Sequence, residues 1–262
     1  MTTTFPELHP ATRTSADALD DLPVVLLHGG NVAGWMWEPQ LPALAHRTVV
    51  TPDLPGFGRR TAESWPGLAG AADDVAGRVK QLTGAQRFHV IGLSLGGAIA
   101  LHLAARHPDA AASVLVSGAP LLPVRGFSRF LARLQLTFWS SPWFWKAFAA
   151  GLRLPPQARE QYVHHGLSVQ RETAERMLHD ILTGGVPADL EAYDGPMLLV
   201  AGERDTKAVR RSLPRAAAVL PHAKLRIAPN MHHVWNIENQ TLFNDMITTW
   251  LTGQIHPGLR GH

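Results

Sequence analysis

The stretch FHVIGLSLGGAIALHLAARHPD, residues 88–109, changes its pattern part-way along. It begins at Phe88 as a short apolar run with β-branched residues, turns through glycines, and leaves as an alanine-rich amphipathic segment. The first part has the length of a buried strand and the last the period of a helix. A strand that enters a helix through so few residues needs a strained backbone, and Gly92 and Gly96 remove the side chains that would clash there. Ser94 is left standing at the tip of the turn.

Outward from this stretch the same form recurs. PVVLLHGG from Pro23, RTVVTPDLPGFG, AASVLVSGAP, PMLLVAGERD and AKLRIAPNMHH are all short apolar runs that pass into a polar or glycine-rich end. Between them lie helix candidates: GLAGAADDVAGRVKQLTG, the segment after Ser94, TKAVRRSLPRAAAVLP and NQTLFNDMITTWL. Alternation of this kind predicts a mostly parallel sheet with helices on both faces. One segment breaks it. Residues 119–193 carry no strand signal, only helical stretches with Pro155-Pro156, Gly184-Gly185 and the aromatic cluster LTFWSSPWFWKAF. The expected organisation is therefore a core of residues 1–118 and 194–262 with a helical insertion, 119–193, between two of its strands. The first twenty residues carry almost no strand pattern and their structure stays open.

Composition narrows the function classes. With 262 residues, 45% of them hydrophobic and 17% charged, the chain can bury one substantial core. It has no cysteine, which excludes a disulfide framework, a thiolate metal site and a cysteine nucleophile. The net charge is +3, but the basic residues are scattered among acids and cluster only as pairs such as Arg59-Arg60 and Arg210-Arg211, so no nucleic-acid partner is expected. No apolar run reaches the roughly eighteen residues of a membrane-spanning helix. The opening residues lack a basic segment followed by an apolar one, so a cytoplasmic location is expected. The histidines, His164-His165 included, have no ligand spacing with partnering carboxylates, and neither a metal nor a cofactor is expected.

In open sheets of this type, ligands bind beyond the carboxyl ends of the strands. Ser94, Asp205 and His233 each follow a strand run, in the order serine, acid, histidine. Such a set can make a nucleophile: a serine hydroxyl is weak at neutral pH until a base takes its proton and a third group fixes that base. Alternatives stay open. Ser94 could be a helix N-cap, Asp205 could cap a helix beginning near Thr206, Glu203 and Asp194 are neighbouring acids, and His232 competes with His233.

These residues, with HGG at His28, DLPGFG at Asp53, GLSLGG at Gly92, GERD at Gly202 and HHVWNIE at His232, resemble the α/β-hydrolase fold superfamily. The branch is that of small serine esterases and hydrolases with a helical cap, and the likeness runs from about residue 23 to 251. It implies a serine nucleophile at Ser94, and it speaks against the dehalogenases and epoxide hydrolases of the same fold, which carry an aspartate there. Family histidines follow a glycine and stand five residues before an acid; counting back from Glu238 selects His233, with His232 in the glycine's place. The resemblance implies an oxyanion hole from the N–H groups of Leu95 and Gly30, with Asn31 as the substitute for Gly30. It also implies that His28 braces the oxyanion loop, that Asp53 holds a turn freed by Gly56 and Gly58, and that Trp37 is a packing residue, leaving Trp35 for the pocket.

The insertion then becomes the cap, and its aromatics Trp139, Trp143, Phe144, Trp145 and Phe148 either pack it onto the core or line the pocket. Trp35, Trp139 and Trp143 are the expected substrate contacts and favour an apolar acyl or aromatic substrate. The expected activity is cofactor-free hydrolysis of a small or medium hydrophobic carboxylic ester through an acyl-enzyme on Ser94. C–C bond, lactone and thioester hydrolysis, perhydrolysis, a non-hydrolytic lyase and a ligand-binding member of the fold are the alternatives, because the fold does not fix the reaction. The oligomeric state is left open.

Overall fold

The computed structural model describes residues 5–12, 20–124, 130 and 134–261. Its centre is an eight-stranded sheet of β1 (Leu8–His9), β2 (Val24–Leu27), β3 (Val49–Val50), β4 (Phe88–Leu93), β5 (Ala111–Ser117), β6 (Met197–Gly202), β7 (Lys224–Ala228) and β8 (Arg260–Gly261), in the order β1-β3-β2-β4-β5-β6-β7-β8. All neighbours run parallel except the two edge pairs, β1 with β3 and β7 with β8. The strands β2, β4, β5 and β6 are buried along their whole length, as expected where helices cover both faces of a parallel sheet.

Each apolar run noted in the sequence forms a strand, and each helix candidate forms a helix: α1 (Gly67–Thr83), α2 (Leu95–Arg106), α6 (Lys207–Val219) and α8 (Gln240–Leu251), the last preceded by the short α7 (Trp235–Glu238). The two edge strands β1 and β8 were not legible, because two residues are too few to display a period. Leu8 and His9 pair antiparallel with Val50 and Val49 and so cover one edge of the sheet. Between β5 and β6 stand α3 (Pro142–Gly151), α4 (Pro156–Ser168) and α5 (Arg171–Thr183). Trp145 is buried between α3 and α4 and lies so close to Gly166 that a Cβ there would overlap its ring. Two indole hydrogen bonds tie these helices to the rest of the chain: Trp65 Nε1 donates to Asp180 Oδ2 at 2.7 Å and Trp35 Nε1 to His165 Nε2 at 3.2 Å.

The turn from β4 into α2 has the geometry anticipated for it. Ser94 sits at φ 56° and ψ −111°, a conformation that costs a side-chain-bearing residue free energy and persists only where the surroundings enforce it. The enforcement is close packing: a Cβ on Gly96 would run into the Leu27 carbonyl, and one on Gly92 into the Gly96 carbonyl. Both contacts are with backbone, which cannot swing aside. Gly96→Ala is therefore expected to lower stability by roughly 1–3 kcal/mol or more, the usual cost of overpacking. A denaturation midpoint equal to wild type would contradict that packing.

Candidate active site

Three strand ends bring Ser94, Asp205 and His233 into one hydrogen-bonded line. Ser94 follows β4, Asp205 lies in the turn after β6, and His233 lies in the loop after β7. His233 Nδ1 is 2.9 Å from Asp205 Oδ1, and His233 Nε2 is 3.1 Å from Ser94 Oγ. The Asp205 carboxylate is fully buried and also accepts the Thr206 N–H at 2.5 Å on Oδ1. Gly118, after β5, makes room for the pair: it has φ 69°, and a Cβ there would stand 3.2 Å from the His233 ring and 3.3 Å from Asp205 Oδ2. Burial disfavours the charged form of His233, but the hydrogen bond to and the charge of Asp205 outweigh it, so its pKa is raised above the ordinary 6.5. With Asp205 accepting from Nδ1–H, Nε2 is free to accept the serine proton.

The competing residues lie elsewhere. His232 is turned to Glu238, whose carboxylate accepts its backbone N–H at 2.8 Å and meets Nδ1 at 2.7 Å. Glu203 accepts from the Asn230 N–H at 2.7 Å and from Arg260 at 3.1 Å. Asp194 precedes β6 and so stands at the opposite end of the sheet from Ser94. The helix-cap role proposed for Asp205 falls to Thr206, whose side chain accepts the Val209 N–H at 3.4 Å.

Leu95 is the first residue of α2, where a backbone N–H has no acceptor within the helix. Gly30 lies in the loop after β2 and, with Leu95 and Ser94, borders the same cavity. The loop is held by His28, fully buried, whose Nδ1 is 2.7 Å from the Gly29 carbonyl and whose Nε2 accepts the Leu54 N–H at 3.0 Å. Asp53 fastens the adjoining turn by accepting the N–H groups of Gly34 at 2.9 Å and Arg59 at 3.0 Å. A Cβ on Gly58 at φ 57° would strike the Asp53 carboxylate. Burial pulls the pKa of His28 from 6.5 down to about 4 despite the Asp53 charge. The folded chain thus refuses a proton that the unfolded chain accepts below about pH 6.5. The stability this gives is complete above that pH and is lost as pH falls toward 4, by about 3 kcal/mol. Burial shifts His9, His89, His102 and His165 in the same direction and steepens the slope, while His233, whose pKa is raised, opposes it. Urea unfolding between pH 7.5 and 4.5 should show this decline, and His28→Gln should flatten it in part.

Ser94 and His233 open onto a cavity of about 280 Å³ between the strand ends and helices α3–α5. Among the described residues no Asp, Glu, Lys or Arg lines it. Trp35 does line it, as the sequence predicts, while Trp37 is fully buried against Phe243 as packing. Trp139 and Trp143 must be corrected. Trp139 is buried inside the helical segment, donating to the Val169 carbonyl at 3.0 Å and packing edge-on against Trp145, and Trp143 is 60% exposed on the outer surface. Neither borders the cavity. Phe148, Leu152, Tyr162, Met177 and Ile181 supply that wall instead, with Met177 Cε 3.5 Å from the position of a Cβ on Gly30. The tryptophans are the segment's largest aromatics, whereas the helical faces that turn inward are mainly aliphatic. The i, i+4 pair Met177 and Ile181 was the signal within reach.

Among the described residues no group of three or more His, Asp or Glu side chains is placed to hold a metal ion, and no helix is long and apolar enough to cross a membrane.

Comparison with known proteins agrees with this architecture. A protein of Caulobacter sp. (strain K31) named "Putative carbamate hydrolase RutD" is 28% identical over 257 residues, spanning 90% of this chain and 93% of the relative. A pimeloyl-(acyl-carrier protein) methyl ester esterase of Aeromonas hydrophila is 37% identical over a shorter stretch of 106 residues, 39% of this chain and 40% of its own. The solved structure of a thermophilic esterase from Thermogutta terrifontis superposes with a TM-score of 0.72 at 24% identity, covering 88% of this chain and 90% of that one. The sequence model described as alpha/beta hydrolase fold matches residues 23–189, most of the chain, and with the sheet order above it shows that the chain belongs to the alpha/beta hydrolase fold family.

Proposed function

We propose that the protein is a serine hydrolase that cleaves carboxylic esters with a small or medium apolar acyl group through an acyl-enzyme on Ser94. The observation that carries this is the line Asp205–His233–Ser94 ending in a cavity with an apolar wall. Ser94 Oγ attacks the ester carbonyl while its proton passes to His233 Nε2. The N–H groups of Leu95 and Gly30 face the oxygen that gains negative charge. The tetrahedral adduct collapses, the C–O bond to the alcohol breaks, and His233 gives its proton to the departing oxygen. Water then attacks the acyl-enzyme with His233 as base, and the acid leaves with Ser94 restored. Asp205 keeps Nδ1 protonated throughout. Residues 119–193 act as a cap that shapes the acyl pocket and excludes water, over a core of 1–118 and 194–262.

The test is direct. A fluorophosphonate probe should label wild type at Ser94 and leave the alanine variant unlabelled, and chromogenic esters of graded acyl length should show turnover that falls once the acyl group outgrows the cavity. Labelling without turnover of any ester would refute the substrate class. Within that panel, Met177→Ala is expected to raise the relative kcat/KM for bulkier acyl groups by roughly the 1–3 kcal/mol of an apolar pocket contact, and Trp143→Ala to leave the ranking unchanged.

Asn31 favours a second reading. It borders the cavity at φ 63°, its side-chain amide shares a hydrogen bond with the buried Tyr162 hydroxyl, and its Oδ1, closed off from solvent, has no further partner among the described residues. Turned from Tyr162 toward the cavity, that amide oxygen would suit a substrate with an N–H beside the reacting carbonyl, as in a carbamate, the substrate type in the name of the Caulobacter relative. An N-alkyl carbamate matched to an ester of equal size separates the two readings: Asn31→Leu strains the loop at φ 63° for both substrates alike, and should depress kcat/KM for the carbamate several-fold more than for the ester.

A further inference from the structure

Helix α3 carries its apolar residues on both sides. Trp145 and Ala149 are buried, as on any surface helix. The opposite row, Trp143, Lys146, Ala147 and Ala150, follows the i, i+3, i+4, i+7 spacing of one helical face and is exposed. Solvent there meets an indole, two methyl groups and one ammonium. Beside this row Phe138 is 37% exposed and stacks edge-on against Trp143 at 5.3 Å, and Phe148 is also 37% exposed. Single exposed apolar side chains are ordinary, but large aromatics grouped on one face are not.

The charge of the same segment is one-sided. Residues 110–159 contain Arg125, Arg129, Arg133, Lys146, Arg153 and Arg159 and not one Asp or Glu. The interspersion of acids and bases noted for the chain as a whole fails here. Lys146, Arg153 and Arg159 are exposed, Arg159 with its Nε donating to the Leu154 carbonyl at 2.6 Å, and Glu160 is the first acid to follow. Tryptophan and phenylalanine flanked by lysine and arginine, with no carboxylate between, are the composition that settles at the boundary between lipid headgroups and acyl chains. Anionic headgroups would meet the cations and the aromatic rings would enter below them.

We propose that this face of residues 136–153 docks on an anionic lipid surface, without spanning it, so that the cavity opens toward the source of an apolar substrate. The cavity supplies the continuity: Phe148 is part of the exposed face and also lines the chamber that holds Ser94, as do Gln135 and Leu152. A molecule leaving the lipid boundary at α3 would pass these side chains on its way in. Docking itself does not depend on the ester-hydrolase reading, since it is measured as binding and not as turnover.

The experiment is co-sedimentation of the full chain with phosphatidylcholine vesicles, with and without about one-third phosphatidylglycerol, beside hydrolysis of a short water-soluble ester by the same preparations. Retention should be at least ten-fold greater on the anionic vesicles and fall with added salt. Trp143→Glu and Lys146→Glu should each cut retention ten-fold or more and leave soluble-ester turnover within two-fold, because neither side chain borders the cavity. No retention on either vesicle, or retention unchanged in both variants, would overturn the proposal. So would a concentration-dependent dimer that Trp143→Glu dissolves while vesicles bind nothing, since a second copy would then be what covers the face.

Discussion

Replacing Ser94 with alanine is expected to lower turnover by about six orders of magnitude, some 8 kcal/mol of transition-state stabilisation, and to leave the fold intact. The size follows from the unit that the three side chains form. His233 Nε2 meets Ser94 Oγ at 3.1 Å, so in the proposed mechanism deletion of the hydroxyl removes the nucleophile and leaves the base with nothing to deprotonate but water. On the proposed mechanism, what remains is binding plus the backbone donors at Leu95 and Gly30, worth roughly three orders of magnitude over the uncatalysed rate. Alanine tolerates φ 56° no better and no worse than serine, and the glycines that enforce the turn are untouched, so the denaturation midpoint should stay close to wild type. Steady-state kinetics with a chromogenic ester and a fluorophosphonate label on the same sample make the check. If more than a few per cent of the rate survives in an unlabelled, folded variant, Ser94 is not the nucleophile.

The positions of these groups were legible because backbone chemistry announces them. A strand that turns through Gly-Leu-Ser-Leu-Gly into a helix leaves few conformations, and the contacts of Gly92 and Gly96 with neighbouring carbonyls show why no other residue serves. Asp205 and His233 could be set beside Ser94 because each ends an apolar run, and parallel strands deliver their carboxyl ends to one edge of the sheet. The brace roles of His28 and Asp53, and the choice of His233 over His232, came instead from the family resemblance, since no local pattern distinguishes them.

The pocket wall was not. Trp139 and Trp143 stand four residues apart and look equivalent in the sequence, yet one is buried inside the helical segment and the other faces outward. Which face of an inserted helix turns inward depends on how it docks, and that is decided by pairs distant in sequence, such as Trp65 with Asp180 and Trp35 with His165. No local period records those contacts. The edge strands β1 and β8 escaped for a related reason, since each exists only through its partner strand.

Replacing His233 with alanine should cost nearly as much as replacing Ser94, whereas His232→Ala should cost less than about ten-fold, although the two are adjacent and chemically identical. The difference is where each ring points. His232 spends its backbone N–H and its Nδ1 on Glu238, so its loss loosens the loop and removes nothing from Ser94. His233 alone spans from the buried carboxylate of Asp205 to the hydroxyl. The pH profile adds an independent check. Asp205 favours the imidazolium more than burial disfavours it, so the pKa of His233 lies above 6.5. As pH falls through that value Nε2 takes up a proton and can no longer accept one from serine, and the acid limb of kcat/KM should therefore sit on the alkaline side of an ordinary histidine. Asp205→Asn removes the charge and leaves the burial, so the limb should move to lower pH while the rate falls by roughly four orders of magnitude as Nδ1 loses the acceptor that fixes its tautomer. A variant that loses activity with its acid limb unmoved would show that Asp205 holds the loop and does not set the basicity of His233.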